Sequence, residues 1–150
     1  MIAAANDHLE LAQFLVGKGA AVEQATSDGV TPLMIAAAKD HLELAQFLVE
    51  KGADVHQATS DGRTPLMIAA EHGDLELAQF LVEKGAGVNQ ATTDGRTPLM
   101  IAAKHGHLAV VEYLQAAGAS LEATDKEGKN PLHLAAQEGH RAMVEYLKGL

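Results

Sequence analysis

The heptapeptide TPLMIAA occurs three times, at 31–37, 64–70 and 97–103, and a variant, NPLHLAA, follows at 130–136. Each copy begins 33 residues after the one before. A fixed period of this length constrains the fold strongly, because each unit is one supersecondary element that can bury its apolar face only against its neighbours. The expected molecule is an elongated stack whose exposed surface carries the function. No Pro-, Ser- or charge-rich linker divides the 150 residues, so one domain is expected.

A single period, 61–93, shows how the unit is built. Asp61-Gly62 is a turn pair, since Gly accepts positive φ and Asp tolerates it, and 55–60 reads as a short extended lead into it. Thr64 is placed to cap a helix and Pro65 to open it, where its missing N–H costs nothing. That first helix carries Leu66, Ile68, Ala69 and Ala70 and stops at Gly73. A second carries Leu75, Leu77, Ala78, Leu81 and Val82, with Lys84 in its last turn and Gly85 as the stop. The small Ala69, Ala70 and Ala78 allow neighbouring helices to approach to about 8–10 Å.

TPLMIAA, the Gly-His/Asp-Leu-Glu start of the second helix and the closing Gly-Ala-x-Val-Asn/His recur in phase, and together they resemble the ankyrin repeat family. The resemblance implies an all-α ankyrin-repeat solenoid of helix-turn-helix units joined by short β-hairpin-like turns. It divides the chain into a partial unit 1–27, full units 28–60, 61–93 and 94–126, and a truncated terminal unit 127–150.

Several positions depart from the family pattern. The His that follows Thr-Pro-Leu in the family is Met34, Met67 and Met100 and survives only as His133. In the family that His ties the turn by hydrogen bonds, so these hairpins are expected to rely more on packing. The Gly stop is present at Gly73, Gly106 and Gly139 but is Asp7 and Asp40 earlier, where a left-handed residue costs about 0.5–1 kcal/mol relative to Gly. The family's hairpin Asp is Thr26, Thr59 and Thr92, with Asp125 the one keeper. Arg141 replaces the Leu of the earlier second helices, which gives the last unit a polar outer face, and both ends are expected to fray first.

Composition narrows the functions. Apolar residues are 47% of the chain but aromatics only 3%, so the core is expected to consist of closely packed Ala, Leu, Val and Ile. Eleven Lys and Arg against 20 Asp and Glu give a net charge of −9, with no basic concentration to overcome repulsion from a phosphate backbone; no nucleic-acid partner is expected. The absence of cysteine fits a reducing compartment and equally an engineered chain. The start, 1–7, lacks the basic and apolar pattern of a signal peptide, and the apolar stretches are too short to span a bilayer. A soluble, cytoplasmic monomer with no membrane partner is expected.

Units 28–60 and 61–93 differ at eight positions: Val30/Arg63, Ala38/Glu71, Lys39/His72, Asp40/Gly73, His41/Asp74, Asp54/Gly87, His56/Asn89 and Ser60/Thr93. Packing residues repeat while hairpin and helix-one surface residues change. In proteins similar to this one, hairpin tips and the exposed side of helix one form a concave face that grips a partner. Carried onto this chain, that face selects Asp28, Val30 and Lys39; Asp61, Arg63, Glu71 and His72; Asp94, Arg96, Lys104 and His105; and Lys129 and Gln137. Asp28, Asp61, Asp94 and Glu127 form one row, and Arg63, Arg96 and Lys129 a second. The rows can serve as a ladder for a protein or peptide partner, with Arg suited to bidentate contacts, or neutralise one another as a solvated face.

Chemistry of its own is not expected. His41 and His107 recur at one place and His105-x-His107 is a local pair, but ligands on adjacent units stand a helix-packing distance apart, whereas zinc needs nitrogens at about 2.0–2.1 Å. These histidines are expected to bind backbone. Glu10, Glu43 and Glu76 lie at starts of second helices, where the dipole favours negative charge. No Ser/His/Asp or Cys/His arrangement, phosphate loop or zinc motif occurs, so no enzyme, cofactor or metal is expected. Three readings stand at this level: a protein-interaction module, an engineered or duplicated scaffold with no natural partner, and a regulatory segment of a larger enzyme.

Overall fold

The computed structural model describes residues 1–5 and 9–150, with Ile2 and Ala5 described by backbone alone. Its helices are α1 (Ile2–Ala5), α2 (Leu9–Gly17), α3 (Pro32–Ala38), α4 (Leu42–Glu50), α5 (Pro65–His72), α6 (Leu75–Glu83), α7 (Pro98–His105), α8 (Leu108–Ala116), α9 (Pro131–Gln137) and α10 (Arg141–Lys148). Among the described residues there is no strand, and no helix is long and apolar enough to cross a membrane.

The first helix of each pair starts in the same way. Thr31, Thr64 and Thr97 are extended N-caps whose hydroxyls accept from the N–H of Met34, Met67 and Met100 at 3.2, 3.4 and 3.3 Å. Asn130 caps α9 through the N–H of His133 at 2.9 Å. A proline opens each of these helices, so its missing donor leaves nothing unsatisfied. The second helices begin with Glu10, Glu43 and Glu76 in their first turns, where negative charge complements the helix dipole. Lys84 stands just past α6 as its C-cap instead of inside the last turn. Its ammonium lies 5.7 Å over the Phe80 ring, a cation–π contact that Lys51 and Phe47 repeat at 5.9 Å.

The helices form two layers. The odd-numbered helices α1, α3, α5, α7 and α9 pack side by side in chain order, and α2, α4, α6 and α8 do likewise behind them. Leu33, Leu66, Leu99 and the alanine pairs that follow them are fully buried between the layers. The small side chains let three helices meet at each junction, which accounts for a core that has few aromatics.

The outer units show which way each position points. Met143 is only 1% exposed in the last helix, whereas Leu11 at the matching position of α2 is 40% exposed; this position therefore packs toward the preceding unit. Phe14, 60% exposed, faces the same way as the half-buried Phe47 and Phe80. His133 and Ala136 are exposed although Met100 and Ala103 are completely buried, so these positions pack toward the following unit. Arg141 is exposed at the start of α10.

Successive hairpins are joined by backbone. The N–H groups of Ser60, Thr93 and Lys126 donate to the carbonyls of Asp28, Asp61 and Asp94, each at 2.9 Å. One hydrogen bond per step holds the tips in line at the repeat spacing. Gly62, at φ 83°, makes this approach possible: a Cβ there would stand 2.9 Å from the Cα of Thr92.

Candidate functional site

The tips are closed by threonine in place of the family's aspartate. Thr59 donates its N–H to the Arg63 carbonyl at 2.9 Å, accepts the Arg63 N–H on its hydroxyl at 3.0 Å, and donates that hydroxyl to the Asp61 carboxylate. Thr92 makes the same set with Arg96 and Asp94. At the next tip, Asp125 accepts from the N–H of Glu127 and Lys129 at 3.0 and 2.9 Å. The Met67 sulfur also accepts the Thr64 N–H at 3.5 Å, as the His133 ring accepts that of Asn130 at 3.3 Å. The expectation that these hairpins rely more on packing is therefore corrected at the Thr59 and Thr92 tips, where a hydroxyl stands in for the carboxylate, and at Thr64, where the Met67 thioether stands in for the imidazole.

Between the tips and helices α5 and α7 runs a groove of about 340 Å³, lined by Asp61, Arg63, Glu71, Thr92, Thr93, Asp94, Arg96, Met100, Ile101, Lys104 and His105. Seven sequence candidates meet here: Asp61, Arg63, Glu71, Asp94, Arg96, Lys104 and His105. Asp28, Val30 and Lys39 lie one repeat earlier, and Lys129 and Gln137 one repeat later, outside it. His72 is also outside, its Nδ1 donating to the Ile68 carbonyl of its own helix at 2.9 Å.

The charges in the groove largely engage one another. Arg63 pairs with Glu71, whose other oxygen is 3.9 Å from His105 Nε2. Arg96 Nε lies 3.2 Å from Asp94 and 3.7 Å from the buried Asp125. The Thr92 hydroxyl, and after it the Arg96 guanidinium, hold the Asp94 carboxyl below its ordinary range. Burial lowers the His105 pKa and so favours the neutral ring, despite the opposing pull of Glu71.

Thr92, Thr93, Met100 and Ile101 line the groove but are not among the residues that the sequence selects for the binding face. Helical spacing held the signal for one of them. Ile101 stands three and four residues before Lys104 and His105 and so shares their face.

A family model for ankyrin repeats, in three copies, matches residues 1–92 and 85–149. The chain belongs to the ankyrin repeat family. No curated protein sequence matches it. Ankyrin repeats are generally protein–protein interaction modules, and the groove in this ankyrin array is built from two successive repeats.

Two histidines at the starts of second helices are tied to backbone across the repeat boundary. His107 Nε2 donates to the Glu71 carbonyl and His140 Nε2 to that of Lys104, each at 2.8 Å. The His105 and His107 rings lie parallel within 9°, their centroids 6.3 Å apart. Among the described residues, no three His, Cys, Asp or Glu side chains are placed to share a metal. Asp40 is left-handed at φ 60°, as its place in the repeat requires, whereas Asp7 lies outside the described residues.

Proposed function

We propose that this ankyrin array binds a protein or peptide in the face formed by its hairpin tips and first helices, and carries no chemistry of its own. The observation that carries this reading is the groove between the tips at 61–63 and 94–96 and helices α5 and α7. Its walls present guanidinium, ammonium and carboxylate groups, and its floor presents the half-buried Ile101. An apolar floor within polar walls is the usual arrangement of an interface centre and its rim. Asp28, Val30, Lys39, Lys129 and Gln137 extend the same face beyond the groove, and the units 1–27, 28–60, 61–93, 94–126 and 127–150 act as one binding domain.

The test compares proteins retained from a host lysate by the wild type, by Ile101→Arg with Lys104→Glu, and by Glu50→Lys on an exposed position elsewhere, all shown to be folded. A partner kept by the wild type and Glu50→Lys but lost from the groove variant supports the reading. Unchanged retention by the groove variant sinks it.

A second reading, an engineered or duplicated scaffold without a natural partner, draws on the near-identity of 28–60 and 61–93, which differ at only eight positions. It expects high stability and no specific retention by any of the three proteins.

A further inference from the structure

We propose that the groove selects a partner segment presenting a carboxylate beside a branched apolar side chain, an inference that rests on the groove being the binding face. Its basis is which charges remain unused. All three carboxylates in the groove already have donors: Asp61 takes the Thr59 hydroxyl, Asp94 takes the Thr92 hydroxyl and faces Arg96, and Glu71 takes Arg63. The donors are not exhausted in the same way. The ammonium of Lys104 has three N–H groups and no hydrogen-bond or ion-pair partner among the described residues. Arg96 lies against two carboxylates, Asp94 and the buried Asp125, through Nε. Lys104 is therefore the one charged side chain lining the groove with no hydrogen-bond or ion-pair partner among the described residues, although the chain as a whole carries −9.

The apolar half of the preference comes from Ile101. It is half-buried, lines the groove and sits one helical turn before Lys104. Side chains so related stand about 5–6 Å apart at Cβ, so a partner satisfies both by placing its carboxylate and apolar residue on one face at similar separation. A nearby apolar contact also excludes water from the Lys104–carboxylate pair, which strengthens it relative to a fully exposed pair.

The net charge and the groove make opposite demands, and this makes the proposal testable. An acidic protein with no specific site enriches basic peptides. The full chain is immobilised and used to select from a displayed library of random dodecapeptides. The expected result is enrichment of Asp or Glu within four positions of Ile, Val or Leu. A selected peptide should bind Lys104→Gln at least about 5-fold more weakly than wild type, about 1 kcal/mol, and selection on Lys104→Glu should turn the preference basic. Enrichment of basic peptides, no enrichment, or an acidic preference unchanged in Lys104→Glu overturns the proposal. Ile101→Arg separates the two failures. Peptides that need Ile101 but show no acidic preference leave the groove as the binding face and remove only its selectivity; peptides that bind Ile101→Arg as well as wild type occupy another surface and remove both.

Discussion

The imidazole of His107 stands in the space that a side chain on Gly73 would occupy, and from there donates Nε2–H to the Glu71 carbonyl at 2.8 Å. One repeat later His140 has the same relation to Gly106, with a Cβ there falling 2.7 Å from its ring. One repeat earlier the pair is Asp74 and Asp40. Asp40 keeps the left-handed backbone but carries a side chain, and Asp74 caps α6 through the Leu77 N–H while its Oδ2 is buried without a donor. At these two junctions glycine and histidine come as a matched set, and the junction of Asp40 with Asp74 lacks it.

Gly73→Ala is expected to cost about 2–3 kcal/mol, combining left-handed strain with overlap against His107. Gly139→Ala isolates the strain, because Gly139 has φ 78° but nothing within 4 Å of a Cβ, and about 1 kcal/mol is expected. Urea midpoints measure both. Equal losses would show that the His107 ring is not the obstacle.

Installing the missing set with Asp40→Gly and Asp74→His together should stabilise the array by about 1–2 kcal/mol, through relief of a strained residue and one backbone hydrogen bond. Asp74→His alone should gain less than its share, since Asp40 stands where the ring must lie. Additive single effects in a double-mutant cycle would contradict this coupling.

Burial raises the Asp74 pKa above 3.8, and the neighbouring Asp40 carboxyl adds to this against the Leu77 N–H, which favours the anion. The folded state therefore holds this proton more tightly than the unfolded chain. Its stabilising contribution is full below pH 3.8 and is lost as pH rises through the folded value. Asp74→Asn keeps the cap acceptor without the charge. Melting temperature should rise at pH 7, with the gain shrinking as pH falls; a gain independent of pH would remove the carboxylate as its source.

Asp125, with 2% of its side chain exposed, accepts two tip N–H groups and faces Arg96. Asp125→Ala orphans both N–H groups, leaves Arg96 with Asp94 alone, and should cost about 2–4 kcal/mol. Asp125→Thr should recover about half, since the hydroxyls of Thr59 and Thr92 do this work at the preceding tips. If Thr and Ala prove equally destabilising in chemical denaturation, threonine is not an equivalent closure.

Hydrogen exchange should be fastest in α2 and α10, whose units each pack on a single neighbour, and slowest in α5 to α8, which are covered on both sides. Uniform protection along the stack would show that unfolding is a single event.

Much of the architecture was legible because its determinants are local. The caps at Thr31, Thr64, Thr97 and Asn130, the prolines that follow them and the stops at Gly73 and Gly106 act within a single turn of backbone. The charge rows were legible as rows but not as pairs. Nothing in the spacing distinguishes Arg63, which turns back to Glu71, from Arg96, which is held between Asp94 and the Asp125 of the next tip. His72 looked like a surface residue from its variability, yet its ring is bound to its own helix.

The sequence by itself determined the period, the helix pair within it and the residues that start and stop each helix, because these follow from interactions among residues a few positions apart. Only the tertiary structure decided which charges remain free, that His107 reaches a carbonyl 36 residues away through the gap left by Gly73, and that two repeats enclose one groove. Those outcomes depend on side chains meeting across a stacked interface, where distances are set by how one unit rests on the next and not by separation along the chain.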